Sequence, residues 1–140
     1  MHRKLHSILL VDDNFLTNTF NEKILEDLCV ADHLIIAESA EEALDYLERC
    51  RKNNTYPELM LVDLKLPGLN GWQLISRIGQ LHFEKNQSPA YIILTSSDDV
   101  EDERRTFDDP NIIGFLKKPL SEKQFSDMME LYSMRESKTA

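Results

Sequence analysis

The sequence predicts an α/β fold, a doubly wound sheet of five parallel strands, on three observations. Short continuous apolar runs recur along the chain, helical patterns fill the gaps between them, and the two alternate five times. Runs of four or five branched apolar residues fit strands covered on both faces, the condition of a parallel sheet. Strict alternation of strand and helix then implies right-handed crossovers over that sheet.

The strand runs are residues 8–11, 59–62, 91–94 and 112–116, with a weaker one at 34–37. Leu16, Phe20, Ile24, Leu25 and Leu28 recur at spacings of three and four and predict the first helix. Ala40, Ala43, Leu44 and Leu47 predict the second, opened by Ser39 with Glu42 three places on, the pattern of a capping box. Leu74, Ile75, Ile78 and Leu81 mark the third, with Asn70 as its cap. Residues 98–107 read as a charged, weakly apolar fourth helix. Phe125, Met128, Met129 and Tyr132 mark the fifth, opened by Ser121 and Gln124. Residues 53–57 form a loop. The chain shows no repeat, low-complexity tract or linker, so residues 1–140 are expected to form one domain with a core over about residues 6–135.

Composition narrows the function classes. The chain has 140 residues, 41% hydrophobic and 29% charged, which suits a soluble globular protein. Sixteen basic against 25 acidic side chains give a net charge of -9, a surface that repels nucleic acid and anionic lipid. Such a surface either meets a basic partner or serves solubility. Cys29 and Cys50 are expected to be reduced thiols. His2, His6, His33 and His82 lack metal-ligand spacing. The apolar run after the basic first residues is too short for a signal peptide or a membrane span, and a cytoplasmic protein is expected.

Ligands of an open α/β sheet collect outside the carboxyl ends of its strands. Those ends carry Asp12 and Asp13 on the first strand, Asp63 on the third, Thr95 and Ser96 on the fourth, and Lys117 and Lys118 on the fifth. Three carboxylates held together repel unless a cation neutralises them, and a few hard oxygen ligands suit Mg²⁺. A carboxylate beside that ion can act as a nucleophile toward phosphorus. An ammonium and a hydroxyl then stabilise the transferring group. Taken singly, each feature has an ordinary structural explanation, such as a helix-capping turn for Asp12-Asp13 or simple β-propensity for Thr95. The joint arrangement on one rim is what points to chemistry.

These residues resemble the receiver domain of bacterial two-component response regulators, the CheY-like family, over essentially the whole chain. The most specific stretch is Leu59-Met60-Leu61-Val62-Asp63-Leu64-Lys65-Leu66-Pro67-Gly68-Leu69-Asn70-Gly71. Ile8-Leu9-Leu10-Val11-Asp12-Asp13-Asn14, Ile92-Ile93-Leu94-Thr95-Ser96 and Gly114-Phe115-Leu116-Lys117-Lys118-Pro119-Leu120 resemble the family's other three signatures. The resemblance implies a flavodoxin-like (βα)5 fold with strand order 2-1-3-4-5. It implies Asp63 as phosphoryl acceptor and Asp13, Asp63, the backbone carbonyl of Lys65 and, directly or through water, Asp12 as Mg²⁺ ligands. Thr95 and Lys118 would contact the phosphoryl group, with Lys117 a bystander and the Lys118–Pro119 bond cis. Thr95 and Phe115 would form the switch, although Phe115 also reads as an ordinary half-buried core residue. The fourth helix, fifth strand and fifth helix would form the output face.

Two features fit the family less tightly. The Lys65 side chain either crowds the water attacking the phosphoryl group or extends into solvent. Residues 106–111 are long, and read as part of a partner surface or as a capped turn. The implied partners are a sensor histidine kinase or phosphotransfer protein and an unknown downstream protein, with no nucleic acid or membrane, as a monomer or a phosphorylation-dependent dimer. The chain is expected to stand alone, the alternative being a receiver cut from a hybrid histidine kinase. A Mg²⁺-dependent phosphatase of the haloacid-dehalogenase type needs a second Asp two residues after the nucleophile, where Asp63 has Lys65 and Asp12 has Asn14. A non-phosphorylated module of the same fold would be expected to lack one of the five rim residues, and all five are present.

Overall fold

Five strands and five helices alternate in the computed structural model, which describes residues 4–81, 83–84 and 87–139. The order is β1 (Leu5–Val11), α1 (Phe15–Leu28), β2 (Ala31–Ala37), α2 (Ala40–Asn53), β3 (Leu59–Val62), α3 (Gly71–Gly79), β4 (Ala90–Thr95), α4 (Val100–Arg105), β5 (Ile112–Lys117) and α5 (Glu122–Thr139). All strand pairs are parallel and their order is β2-β1-β3-β4-β5. The order reverses at β1, so the crevice between the ends of β1 and β3 is the topological switch point.

The continuous apolar runs are explained by the two cores. Along β1, β3 and β4, Leu9, Val11, Met60, Val62, Tyr91 and Ile93 point to one face, where Ala40, Ala43 and Leu47 of α2 and Leu74, Ile75 and Ile78 of α3 cover them. The alternate residues Ile8, Leu10, Leu59, Leu61, Ile92 and Leu94 meet Ile24 and Leu25 of α1 and Phe125 and Met129 of α5. Each such side chain contributes about 1.5–3 kcal/mol on burial. α4 buries none of its residues. β2 begins three residues earlier than its apolar run, because an edge strand can carry the polar Asp32 and His33 toward solvent.

The helix starts follow local side-chain chemistry. Asn14, Ser39, Asn70 and Asp99 each accept a hydrogen bond from a first-turn backbone N–H. Ser121 Oγ accepts from Gln124 N at 3.1 Å. The reciprocal capping box forms at Asn70 and Gln73. α4 is shorter than its charge pattern suggests: Asp99 caps it, and Thr106–Asp108 continue as a 3₁₀ turn. Asp109 closes that turn by accepting from the N–H groups of Asn111 and Ile112 at 2.9 and 3.0 Å, so residues 106–111 contain a capped turn. Cys29 and Asn54 end α1 and α2 in the left-handed region, with φ of 53° and 55°. Both cysteines are free thiols. His6 and His33 meet edge to face at 5.2 Å, whereas His2 and His82 lie outside the described residues.

Gly71 controls how closely α3 approaches the end of β3. A Cβ there would sit 2.5 Å from the Asp63 carbonyl oxygen and 2.8 Å from Leu64 Cα, both rigid backbone. At Gly114 the added carbon would meet only the flexible tip of Met128. Gly71→Ala should therefore cost about 2–3 kcal/mol, and Gly114→Ala about 1 kcal/mol or less, as read from denaturant midpoints.

Candidate functional site

The sheet ladder continues one residue past β1 and β3 and thereby fixes the acidic groups. Asp12 N donates to Ala37 O at 3.1 Å, and Asp63 N donates to Val11 O at 3.0 Å. Lys118 N, one residue past β5, donates to Thr95 O at 3.0 Å. The residues that follow these strands are thus held by the same ladder as the strands. The Lys118–Pro119 bond is cis, and the Lys118 side chain reaches across the crevice.

Its ammonium stands 2.6 Å from Asp12 Oδ2 and 2.9 Å from Asp63 Oδ2. Asp12 is 4% and Asp63 6% exposed, while Asp13 faces solvent. Asp12 Oδ1 accepts from Asn14 N at 2.9 Å, and Asp63 Oδ1 accepts weakly from Lys65 N at 3.3 Å. Burial works against the Lys118 charge, but hydrogen bonds to Asp12 and Asp63 and their charges outweigh it and raise its pKa above 10.5. Thr95 is fully buried, and its hydroxyl accepts from Ser97 N at 3.3 Å. Phe115 is half-buried against the core face that carries Val62 and Ile93. The Lys65 side chain is exposed.

One carboxylate oxygen from each of Asp12, Asp13 and Asp63 lies within 4.8 Å of the other two. Two like charges at that separation repel by about 3 kcal/mol at an effective dielectric of about 20. Three carboxylates against one ammonium leave two negative charges uncompensated. A hard, all-oxygen donor set with that deficit, open to solvent on the Asp13 side, fits a small divalent cation such as Mg²⁺.

Lys117 stays out of the acidic crevice, where Lys118 makes the contacts with Asp12 and Asp63. The Lys117 ammonium donates to the Ser97 carbonyl and to the Asp98 carboxylate, and so ties β5 to the loop after β4. That contact holds the Asp98 carboxyl below its ordinary pKa. Ser97 Oγ donates to Asp102 Oδ2 at 2.7 Å, and Trp72 Nε1 donates to Asp102 Oδ1 at 2.9 Å. The loop after Thr95 is thereby linked through α4 to α3. The alternation of strands and helices carries no signal for these bonds. α1 holds a further surprise: Leu16 and Phe20 of its apolar stripe are 75% and 49% exposed, while Asn18 and Asn21 are buried. The two asparagines at a spacing of three were the visible sign of a polar buried face.

An acidic crevice at the switch point of a 2-1-3-4-5 sheet defines an α/β module of the flavodoxin-like class. More narrowly, the chain belongs to the response regulator receiver domain family, whose model matches residues 8–130. It is 25% identical over 122 residues to the sensor protein GacS of Pseudomonas syringae pv. syringae, matching 87% of this chain and 13% of GacS. This chain therefore spans about an eighth of that relative's length. It is 30% identical over 115 residues to the probable methanogenesis regulatory protein FilR2 of Methanothrix harundinacea, covering 81% of this chain and 72% of FilR2. A two-component response regulator of Cytophaga hutchinsonii superposes with a TM-score of 0.82 at 26% identity, over 91% of this chain and 96% of that one. The chain is a receiver domain of the two-component type, a family of signalling switches.

The charge balance predicts opposite effects from two substitutions. In metal-free buffer near pH 7, Lys118→Met should lower stability by about 1–3 kcal/mol, because it leaves Asp12 and Asp63 without their counter-charge. Asp13→Asn should raise stability by about 0.5 kcal/mol. The Lys118 contribution is complete below the ordinary lysine value of 10.5 and fades as pH climbs past the raised folded value. The alkaline limb of a stability-against-pH curve should therefore flatten in Lys118→Met.

Proposed function

We propose that the chain is a phospho-accepting response regulator of a two-component phosphorelay, with Asp63 as the acceptor. The observation that carries this reading is the buried Asp63 carboxylate, 2.9 Å from the Lys118 ammonium and within 4.8 Å of the carboxylates of Asp12 and Asp13. An Asp63 oxygen attacks the phosphorus of a phosphohistidine on a sensor histidine kinase or phosphotransfer protein. The P–N bond breaks, the imidazole leaves, and an acyl phosphate forms on Asp63. Water later cleaves that P–O bond, releasing inorganic phosphate and restoring the carboxylate.

Asp12, Asp13, Asp63 and the Lys65 carbonyl would hold Mg²⁺, which supplies charge neutralisation for the phosphoryl oxygens. Asp12, 2.6 Å from the Lys118 ammonium, keeps the amine aimed into the crevice. Lys118 pairs with one phosphoryl oxygen, and the Thr95 hydroxyl, which accepts from Ser97 N, donates its own hydrogen to another. Movement of Thr95 draws Phe115 inward and alters the α4–β5–α5 face, where a downstream protein binds. The domain works as one unit over residues 1–140, with its core at about 6–135, as a monomer or a phosphorylation-dependent dimer. A cytoplasmic setting agrees with the net charge of -9 and with two free thiols. Among the described residues no helix is long and apolar enough to cross a membrane.

A second reading, a receiver belonging to a hybrid histidine kinase, is favoured by the similarity to a short part of GacS. The two readings share the same chemistry. Incubation with Mg²⁺ and acetyl phosphate should add one phosphoryl group to the intact mass of the protein. The gain should vanish without divalent cation and in Asp63→Asn. A gain that survives in Asp63→Asn, or no gain in the wild type, would overturn the assignment.

A further inference from the structure

α1 is built against the usual rule for an amphipathic helix. Phe15 and Leu16 are 72% and 75% exposed, whereas Asn18 and Asn21 are each 3% exposed. A buried carboxamide costs stability unless all its polar atoms are bonded, and an apolar side chain of the same size would fill the space more favourably. Asn18 therefore calls for an explanation other than packing.

Its partners supply one. Asn18 Nδ2 donates to the backbone carbonyl of Asp12 at 2.8 Å, inside the protein. Asn18 Oδ1 is buried and takes no hydrogen bond from the described residues. Asn18 also lines a small cavity beneath the acidic crevice, walled by Asn21, Asp12 and Asp63 with Leu10 and Leu61. About 10 Å³ there is open to the centre of a water molecule, the space of one water among several polar groups. Besides the Lys118 ammonium on its carboxylate, Asp12 is thus tethered three times. Its N–H is bound by Ala37, its carboxylate by Asn14 N, and its carbonyl by Asn18. The Ala37 and Asn14 tethers come from backbone, and Lys118 grips the carboxylate; Asn18 is the side chain that holds the Asp12 main-chain carbonyl.

We propose that Asn18 is a positioning residue for the metal site. It fixes the Asp12 main chain from below and, with Asn21, holds one internal water behind the carboxylates of Asp12 and Asp63. Held in this way, the turn at Asp12 and Asp13 leaves β1 at the one angle that presents both carboxylates to a divalent cation. This inference rests on the Mg²⁺ reading above. Its logic is that of groups behind a metal ligand, which orient the ligand without touching the ion.

The test is calorimetric titration of the full chain with MgCl₂, together with denaturant unfolding in metal-free buffer. Wild type, Asn18→Leu and Asn18→Ala are compared. Asn18→Leu should weaken Mg²⁺ binding by about tenfold while its metal-free midpoint equals or exceeds that of wild type. A residue with a structural role alone would not lose affinity while keeping or gaining stability. Asn18→Ala should weaken Mg²⁺ binding to a similar degree, and it decides the matter if the leucine variant does not fold. Mg²⁺ affinity within about twofold of wild type in a folded variant overturns the inference and leaves the proposed function intact. A wild-type protein that takes up no Mg²⁺ overturns both.

Discussion

Two buried carboxylates bridged by one ammonium impose the constraint on which the rest of the molecule depends. Taking each of these charges out of water costs several kcal/mol, and their mutual attraction recovers that only with accurate geometry. The parallel sheet supplies the accuracy. β1 and β3 end in register, with Val11 opposite Val62, so the next residue on each strand faces the same crevice. Asp12 and Asp63 are then locked by ladder hydrogen bonds to Ala37 and Val11. The two apolar faces provide the stability that this polar rim consumes, which is why β1, β3 and β4 are almost wholly apolar.

Consecutive lysines divide the work at the end of β5. Lys118 turns into the acidic crevice, while Lys117 holds the loop after β4 through Ser97 and Asp98. Ser97 is the junction of that loop. Its N–H rests on the Thr95 hydroxyl, its own hydroxyl on Asp102, and Asp102 on the Trp72 indole. A shift of Thr95 therefore has discrete bonds through which to reach α4 and α3, rather than a diffuse packing change. α4 has six residues and buries none of them, so it opposes little core packing to such a shift.

The sequence made the sheet legible because strands covered on both faces must be continuously apolar, and because Asn70, Ser39 and Ser121 declare helix starts through their own side chains. The gathering of Asp12, Asp13, Asp63 and Lys118 was equally accessible, since strand ends of a parallel sheet share one rim. What escaped was anything that depends on side-chain direction between neighbouring elements. The resemblance told Lys118 from Lys117, but nothing in the sequence signalled the bonds of Lys117 to Ser97 and Asp98. In α1, apolar spacing marks a helix but does not say which stripe faces the sheet. Leu16 and Phe20 turn outward while Asn18, bonded to the Asp12 carbonyl, and Asn21 are buried beside the end of β1. The length of α4 was overread for a related reason. A charged segment without an inward stripe has no core contact to fix its end.

The link between Trp72 and Asp102 has a practical side. Trp72 is the single tryptophan of the chain. Its ring nitrogen is bonded to α4, and the Arg105 guanidinium lies over its face at 4.8 Å. Both contacts involve groups that alter indole emission when they move. The molecule thus carries an intrinsic optical gauge between α3 and α4, and rearrangement of the loop after Thr95 becomes observable in solution without any attached dye.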